Sequence, residues 1–339
     1  MRRLISAIIA ISLSFSLCAH NIVGTWNGTL KVQGIELAIV FHIEEAEDGV
    51  KATMDSPDQQ AFGIPVTSIE FHDPELKLEI ANLAIAYQGK LENSNEISGH
   101  KSFLVLAEAA LDYLKTRVEI NQDHTGIIGH SEGGVIASMI ASRNHEISFI
   151  VLMAGPALRG DKLLLLQKKN IESQMGINEV LIETNQQIFE GAYDIILKSK
   201  SNNSTLNDSL SDYFISKYGA ALPENQLKDL INQLSNPWMV DFIRLDPAQY
   251  LQKVTCPVLV LYGDKDLQVP SKENLEAIKS ILEESGNTNV ETREFQGLNH
   301  LFQECKSGLP TEYGEIEQTI SPLVLEDITK WIVVESLHQ

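Results

Sequence analysis

Residues 125–142 read TGIIGHSEGGVIASMIAS, and the spacing of apolar residues changes in the middle of that stretch. Ile127 and Ile128 end a short run of the kind that forms a buried strand, whereas Val135, Ile136, Met139 and Ile140 recur at helical spacing. Only GHSEGG, residues 129–134, lies between, so strand and helix must join through one sharp turn. Gly129 and Gly133 suit such a turn because neighbouring chain can pass them without a Cβ clash, and Ser131 at the apex is forced into a strained backbone conformation. A G-x-S-x-G string arises about 0.1 times by chance in a chain of this length. The flanking strand and helix, rather than the string, therefore carry the inference. The bland alternative is that the Ser131 hydroxyl merely caps the helix.

The chain has 339 residues, 43% of them apolar, which is enough for one large domain or two ordinary ones. A formal charge of −20 would repel phosphates over much of the surface, which argues against nucleic acid or an anionic membrane as partner. The first twenty residues, MRRLISAIIAISLSFSLCAH, carry two arginines, an apolar run from Leu4 to Leu17 and small residues near the end. That is the order of a secretory signal peptide, with cleavage expected after Ala19 and a secreted or periplasmic mature chain. The run is too short for a stable membrane span, and Leu17 is too bulky to make Cys18 a good lipid-attachment site. Cys256 and Cys305 remain, and could form one disulfide in an oxidising compartment. Two separate thiols are the favoured reading, since Cys256 opens CPVLVLYG, a strand-like run in which Cys serves as a small buried hydrophobe.

Within residues 20–100, the stretch 22–99 shows no helical period; alternating runs such as IELAIVFHI, PELKLEI and LAIAYQGKL are separated by the turn clusters EDG, DSPDQ and ENSNE. They predict a small antiparallel β domain, a barrel or sandwich in which Leu37, Ile39, Phe41 and Ile43 share a face and Trp26 and Phe41 belong to the core. His42 and His72 lack metal-ligand spacing and read as solvent-facing or hydrogen-bonded. From residue 101 the period changes, with FLVLAEAALDYLKTRVEI (103–120) predicting a helix. Further strands are expected at ISFIVLMAG (147–155), CPVLVLYG (256–263) and NVETREFQG (289–297), with helices between them. This is an α/β pattern with a parallel sheet over 101–339. The stretch 161–250 holds helical patterns such as KLLLLQKKNIESQMG and LSDYFISKYG, a polar loop SKSNNSTLNDS, and no comparable strand. An inserted helical cap is expected there, with Leu164, Leu165, Tyr213 and Phe214 as packing residues.

A nucleophilic serine needs a base to take its proton and a carboxylate to orient the base. After VLVLYG comes DKDLQVP, placing Asp264 and Asp266 at the C-terminal end of a strand, where open α/β sheets bind ligands. Asp266 is the chosen acid, because Asp264 follows the strand directly and suits fixing the turn. After NVETREFQG comes LNHLF, which puts His300 beyond another strand end as the base. His130 is the rival, but side chains adjacent on a sharp turn diverge, so it reads as a turn position. No His/Cys/Asp/Glu cluster suggests a metal, and no cofactor is implied.

The segments GIIGHSEGG, PVLVLYGDKDLQVP and GLNHLF resemble the α/β-hydrolase family, particularly secreted bacterial esterase-like members related to the dienelactone hydrolase and prolyl oligopeptidase groups. The resemblance covers roughly residues 101–336. It implies Ser131 as nucleophile, Asp266 as acid, His300 as base and the backbone N–H of Glu132 as an oxyanion donor, with the β-rich segment as an accessory domain. The chain departs from that family in one respect: about 25 residues separate the β segment from the strand before Ser131, where complete members carry several strands and the loop that gives a second oxyanion donor. An internal segment looks missing, which predicts that the strand ending at Gly129 lies at a sheet edge. Three functions follow: cleavage of carboxylic esters through an acyl-enzyme on Ser131, cleavage of peptides by the same residues, or ligand binding by an impaired hydrolase. The expected partner is a small ester or peptide.

Overall fold

A computed structural model describes residues 22–32, 35–46, 49–57, 61–72, 74–80, 85–93, 96–101, 103–199, 204–219 and 222–338. The expected signal peptide, 1–19, lies outside them. The chain divides into two compact units at Ser102/Phe103.

The first unit is built from two antiparallel meanders. One sheet has the order β1 (Gly24–Val32), β2 (Ile35–Ala46), β3 (Gly49–Ser56), β4 (Ala61–Pro65); the other has β5 (Ser68–His72), β6 (Glu75–Ile80), β7 (Ile85–Asn93), β8 (Glu96–Lys101). Alternation in β6 sends Leu76, Leu78 and Ile80 inward, where the first two join Ile22, Ile43 and Ala52 in one core. Trp26 and Phe41 pack on that core, and the Trp26 indole N–H donates to the Ile22 carbonyl at 2.8 Å. His42 is hydrogen-bonded, to Asp55 at 2.9 Å and to Thr25 at 3.2 Å. The side chain of Leu37 lies outside the described residues.

The second unit starts with α1 (Phe103–Lys115). The helix expected to reach residue 120 stops earlier because the Thr116 hydroxyl bonds the Tyr113 carbonyl and the main chain tightens to i→i+3 bonds at Thr116 and Arg117. Then follow β9 (Ile127–His130), α2 (Glu132–Ala141) and β10 (Ile150–Met153). After a helical insertion come β11 (Val258–Gly263), α9 (Ser271–Glu284), β12 (Val290–Phe295) and α10 (Pro322–His338). The four strands form one parallel sheet in the order β12-β11-β10-β9. Every residue of the two central strands, IVLM and VLVLYG, is buried, which explains why those segments read as unbroken apolar runs. Residues of α2, α9 and α10, among them Ile140, Ile278 and Trp331, complete the core around the sheet. Among the described residues β9 pairs with β10 alone, so the strand before Ser131 stands at the sheet edge, and its Ile128 is 52% exposed.

The insertion comprises α3 (Gly160–Gln174), α4 (Glu179–Lys198), α5 (Ser204–Tyr218), α6 (Glu224–Leu234), α7 (Pro237–Arg244) and α8 (Ala248–Leu251). It has its own core, in which Leu165 and Phe214 are buried and Leu164 and Tyr213 are packed against them. The expected loop SKSNNSTLNDS is helical from Ser204 onward. Its polar residues disfavour helix locally, but Leu206, Leu210 and Phe214 fall four apart and all insert into the cap core, which outweighs propensity. No described helix is long and apolar enough to cross a membrane.

Candidate active site

Ser131 adopts φ 56° and ψ −121°, one of three non-glycine residues with positive φ among the described residues. Such a conformation costs about 1–3 kcal/mol and persists only where surrounding structure enforces it. Here Ser131 N–H donates to the Met153 carbonyl at 2.8 Å and Gly134 N–H donates to the Ser131 carbonyl at 2.9 Å, locking the turn between two strands and a helix. Ser131 occupies the N-cap position of α2, yet its hydroxyl makes no capping bond. The capping role is thereby excluded.

The glycines divide differently from the sequence expectation. A Cβ on Gly129 would fall 2.1 Å from the Gly133 carbonyl oxygen, so Gly129 is required. A Cβ on Gly133 would meet nothing within 4 Å, so that glycine is not the one that permits close passage; Gly134 is, since a Cβ there would meet Gly155 Cα at 2.8 Å. The helix thus packs backbone to backbone on the end of β10 through the glycine following the motif.

Asp266 follows β11 and His300 follows β12, and the structure brings them together. Asp266 Oδ2 accepts from His300 Nδ1 at 2.8 Å, with both residues buried, at 3% and 5% exposure. The other carboxylate oxygen accepts from the N–H groups of Gln268 (2.9 Å) and Val269 (2.8 Å), so the carboxylate is held from behind while facing the imidazole. Asp264 points elsewhere: its Oδ1 accepts from Gly297 N–H at 2.6 Å and ties the two strand ends together. The His300 bond fixes Nδ1 as the protonated nitrogen and leaves Nε2 to accept a proton.

The loop carrying His300 is shaped by residues that sequence reasoning passed over. Asn299 is fully buried; its Oδ1 accepts from Leu301 and Gln303 N–H at 3.0 Å each, an Asx-type turn around the imidazole. Gly263 lets that loop cross the end of β11, because a Cβ there would meet the Leu298 carbonyl oxygen at 2.2 Å. The Asn-His pair and the glycine ending VLVLYG were the available signals. Trp238 on the cap helix α7 donates from its indole N–H to Glu132 Oε1 at 3.2 Å, a contact across 106 residues without local signature. His130 is the further case. Its Nε2 lies 2.8 Å from the His300 carbonyl oxygen and its ring lies 4.8 Å from the His300 ring. Burial, followed by the neighbouring His300 ring, lowers the His130 pKa from its ordinary value.

Cys256 and Cys305 are free thiols. Among the described residues no group of three or more His, Cys, Asp or Glu side chains could hold a metal ion.

A parallel sheet flanked by helices, with a strained serine between β9 and α2 and an Asp-His pair beyond the ends of β11 and β12, defines an α/β-hydrolase domain. The sequence profile of the family described as BAAT / acyl-CoA thioester hydrolase C terminal matches residues 105–304, and the chain belongs to that family. The profile does not single out the dienelactone hydrolase or prolyl oligopeptidase groups. A stretch of 226 residues is 27% identical to esterase EstD of Thermotoga maritima, covering 66% of this chain and 46% of that protein. The chain thus spans about half the length of the curated relative it matches. Among solved structures, VinJ is similar over 91% of this chain and 98% of its own at 14% identity, with a TM-score of 0.36. Est1E from Butyrivibrio proteoclasticus is similar over 92% and 99% at 12% identity, with a TM-score of 0.34.

Proposed function

We propose that this protein is an exported serine hydrolase of carboxylic esters. The observation that carries the reading is the buried Asp266–His300 pair, hydrogen-bonded at 2.8 Å, together with a positive-φ serine whose hydroxyl is not spent on capping its helix and whose chain neighbour His130 contacts the His300 carbonyl at 2.8 Å. In this reading Ser131 Oγ attacks the ester carbonyl while His300 Nε2 takes its proton. Asp266 keeps the imidazole in the required tautomer and stabilises the imidazolium. His300 then returns the proton to the departing alcohol, and water activated by the same nitrogen releases the acid from Ser131. The backbone N–H of Glu132, at the positive end of α2, is the assigned donor to the developing oxyanion.

The edge position of β9 supports a further part of the proposal, that the segment before the turn is shortened relative to complete α/β-hydrolases and brings no second oxyanion donor. Loss of one such donor costs about 100- to 1,000-fold in turnover. Slow hydrolysis is therefore the expectation.

The family profile favours a second reading, thioester cleavage, by the same residues. A formal charge of −20 opposes a polyanionic coenzyme A thioester and favours small uncharged esters. One panel separates these: aryl esters of short and medium acids, acyl-CoA thioesters and dipeptide amides, each with wild type and Ser131→Ala. Ester turnover that Ser131→Ala abolishes supports the proposal. Turnover confined to thioesters or amides moves the substrate class, and ester turnover retained by Ser131→Ala overturns the assignment. Sequencing the amino terminus of the mature protein tests export, with His20 expected first.

A further inference from the structure

We propose that His130 is a positioning residue that ties the base His300 to the nucleophile's own turn, so that the two move as one body. The inference rests on the reading of Ser131 and His300 given above. A carbonyl oxygen only accepts, so the 2.8 Å contact from His130 Nε2 to the His300 carbonyl makes Nε2–H the donor and fixes the His130 tautomer. Burial favours the neutral ring that this bond requires. The two rings lie 4.8 Å apart at 45°, and the ring of the buried Phe302 lies edge-on 6.2 Å from that of His130, so the imidazole is packed against neighbouring rings as well as bonded.

The consequence comes from where the tether is attached. His130 and Ser131 share a peptide bond, and the strained turn allows Ser131 little independent movement. The acceptor, in turn, is the main chain of the base itself, 170 residues away. His300 is thereby held at two points, its Nδ1 by Asp266 and its backbone by His130, which leaves Nε2 as the unheld nitrogen. The Asn299 turn still shapes the loop without the tether, but the His300 main chain loses the restraint that aligns the imidazole, so the Nδ1 bond to Asp266 loosens and Nε2 shifts relative to Ser131. A misplacement of about 1 Å at this stage costs on the order of 100-fold. His130 would thus act on the rate through another residue, touching neither substrate nor the transferred proton.

The test compares His130→Ala, His130→Gln and His130→Phe in the full chain. The readouts are kcat and KM on an aryl ester and the downfield proton resonance of the His300 Nδ1–H bonded to Asp266. Gln can donate to the same carbonyl, whereas Phe keeps the ring without the donor. The expected result is a 10- to 100-fold fall in kcat for Ala and Phe with KM within about two-fold, loss of the downfield resonance in both, and recovery of most of each signal in Gln. Should the Ala variant fail to fold, Gln against Phe decides alone, since both fill the space. Unchanged kcat and resonance in Phe, or equal losses in Gln and Phe, would overturn the proposal. Labelling of wild type by a fluorophosphonate reports separately on Ser131. If labelling fails while the resonance still depends on the residue at 130, the tether stands and the hydrolase reading falls.

Discussion

Replacing Gly129 by alanine should cripple the site, while the same change at Gly133, in the same five-residue motif, should be harmless. A Cβ on Gly129 would lie 2.1 Å from the Gly133 carbonyl oxygen and 2.7 Å from Gly134 N. The turn must open by about 0.9 Å before the closer contact reaches the 3.0 Å that real Cβ atoms keep. Overpacking of that kind costs about 1–3 kcal/mol, which for a unit of this size is a fall of roughly 2–4 °C in melting temperature per kcal/mol. The clash is with the backbone that carries Ser131, so the displacement falls on the nucleophile, and a shift near 1 Å costs about 100-fold in rate. At Gly133 the Cβ position is open and φ is not in the left-handed region, so alanine should gain a few tenths of a kcal/mol, up to about 1, of helix propensity. Urea unfolding and the rate of fluorophosphonate labelling, measured side by side for wild type and both variants, check this. Matching behaviour of the two variants, whether both intact or both damaged, would refute the account of the turn.

The two aspartates should separate sharply. Asp266→Asn loses the charge that holds His300 in its tautomer and should lower turnover by about 10⁴-fold with the fold retained. Asp264→Asn keeps an acceptor for Gly297 N–H and should stay within about ten-fold of wild type; equal losses would mean the acid is wrongly chosen. Stability should fall in alkali. Burial holds the Cys256 thiol up at about 11, above the ordinary 9.0, so the folded protein binds that proton more tightly than the unfolded chain does. Its contribution is complete below about pH 9 and is lost as pH rises through 11, at up to about 1.4 kcal/mol per pH unit. Urea midpoints at pH 8, 9.5 and 10.5 should decline, less so in Cys256→Ala, and a flat profile in both would contradict the burial.

The parallel sheet was legible because its strands announce themselves by burial: IVLM and VLVLYG are apolar throughout since both faces are covered. That Ser131, Asp266 and His300 each follow a strand end could be read from the apolar runs before them. What stayed hidden depended on distant chain. The close approach of Gly134 to Gly155 and the bond from His130 to the His300 carbonyl exist only once β9, β10 and β12 are aligned. The helix from Ser204 was misread for the reverse reason, since its local composition is turn-like and only the cap core makes it helical. The stop of α1 at Lys115 turned on one hydroxyl, that of Thr116, competing for a backbone carbonyl.

The most direct test of the serine mechanism is covalent. Purified protein treated with a fluorophosphonate should gain one adduct by intact mass, and peptide mapping should place it on Ser131. Asp266→Asn and His300→Ala should label far more slowly, because the hydroxyl is nucleophilic only when His300 can take its proton. No adduct on the wild type, or labelling at Ser131 that does not depend on Asp266 and His300, would contradict the account.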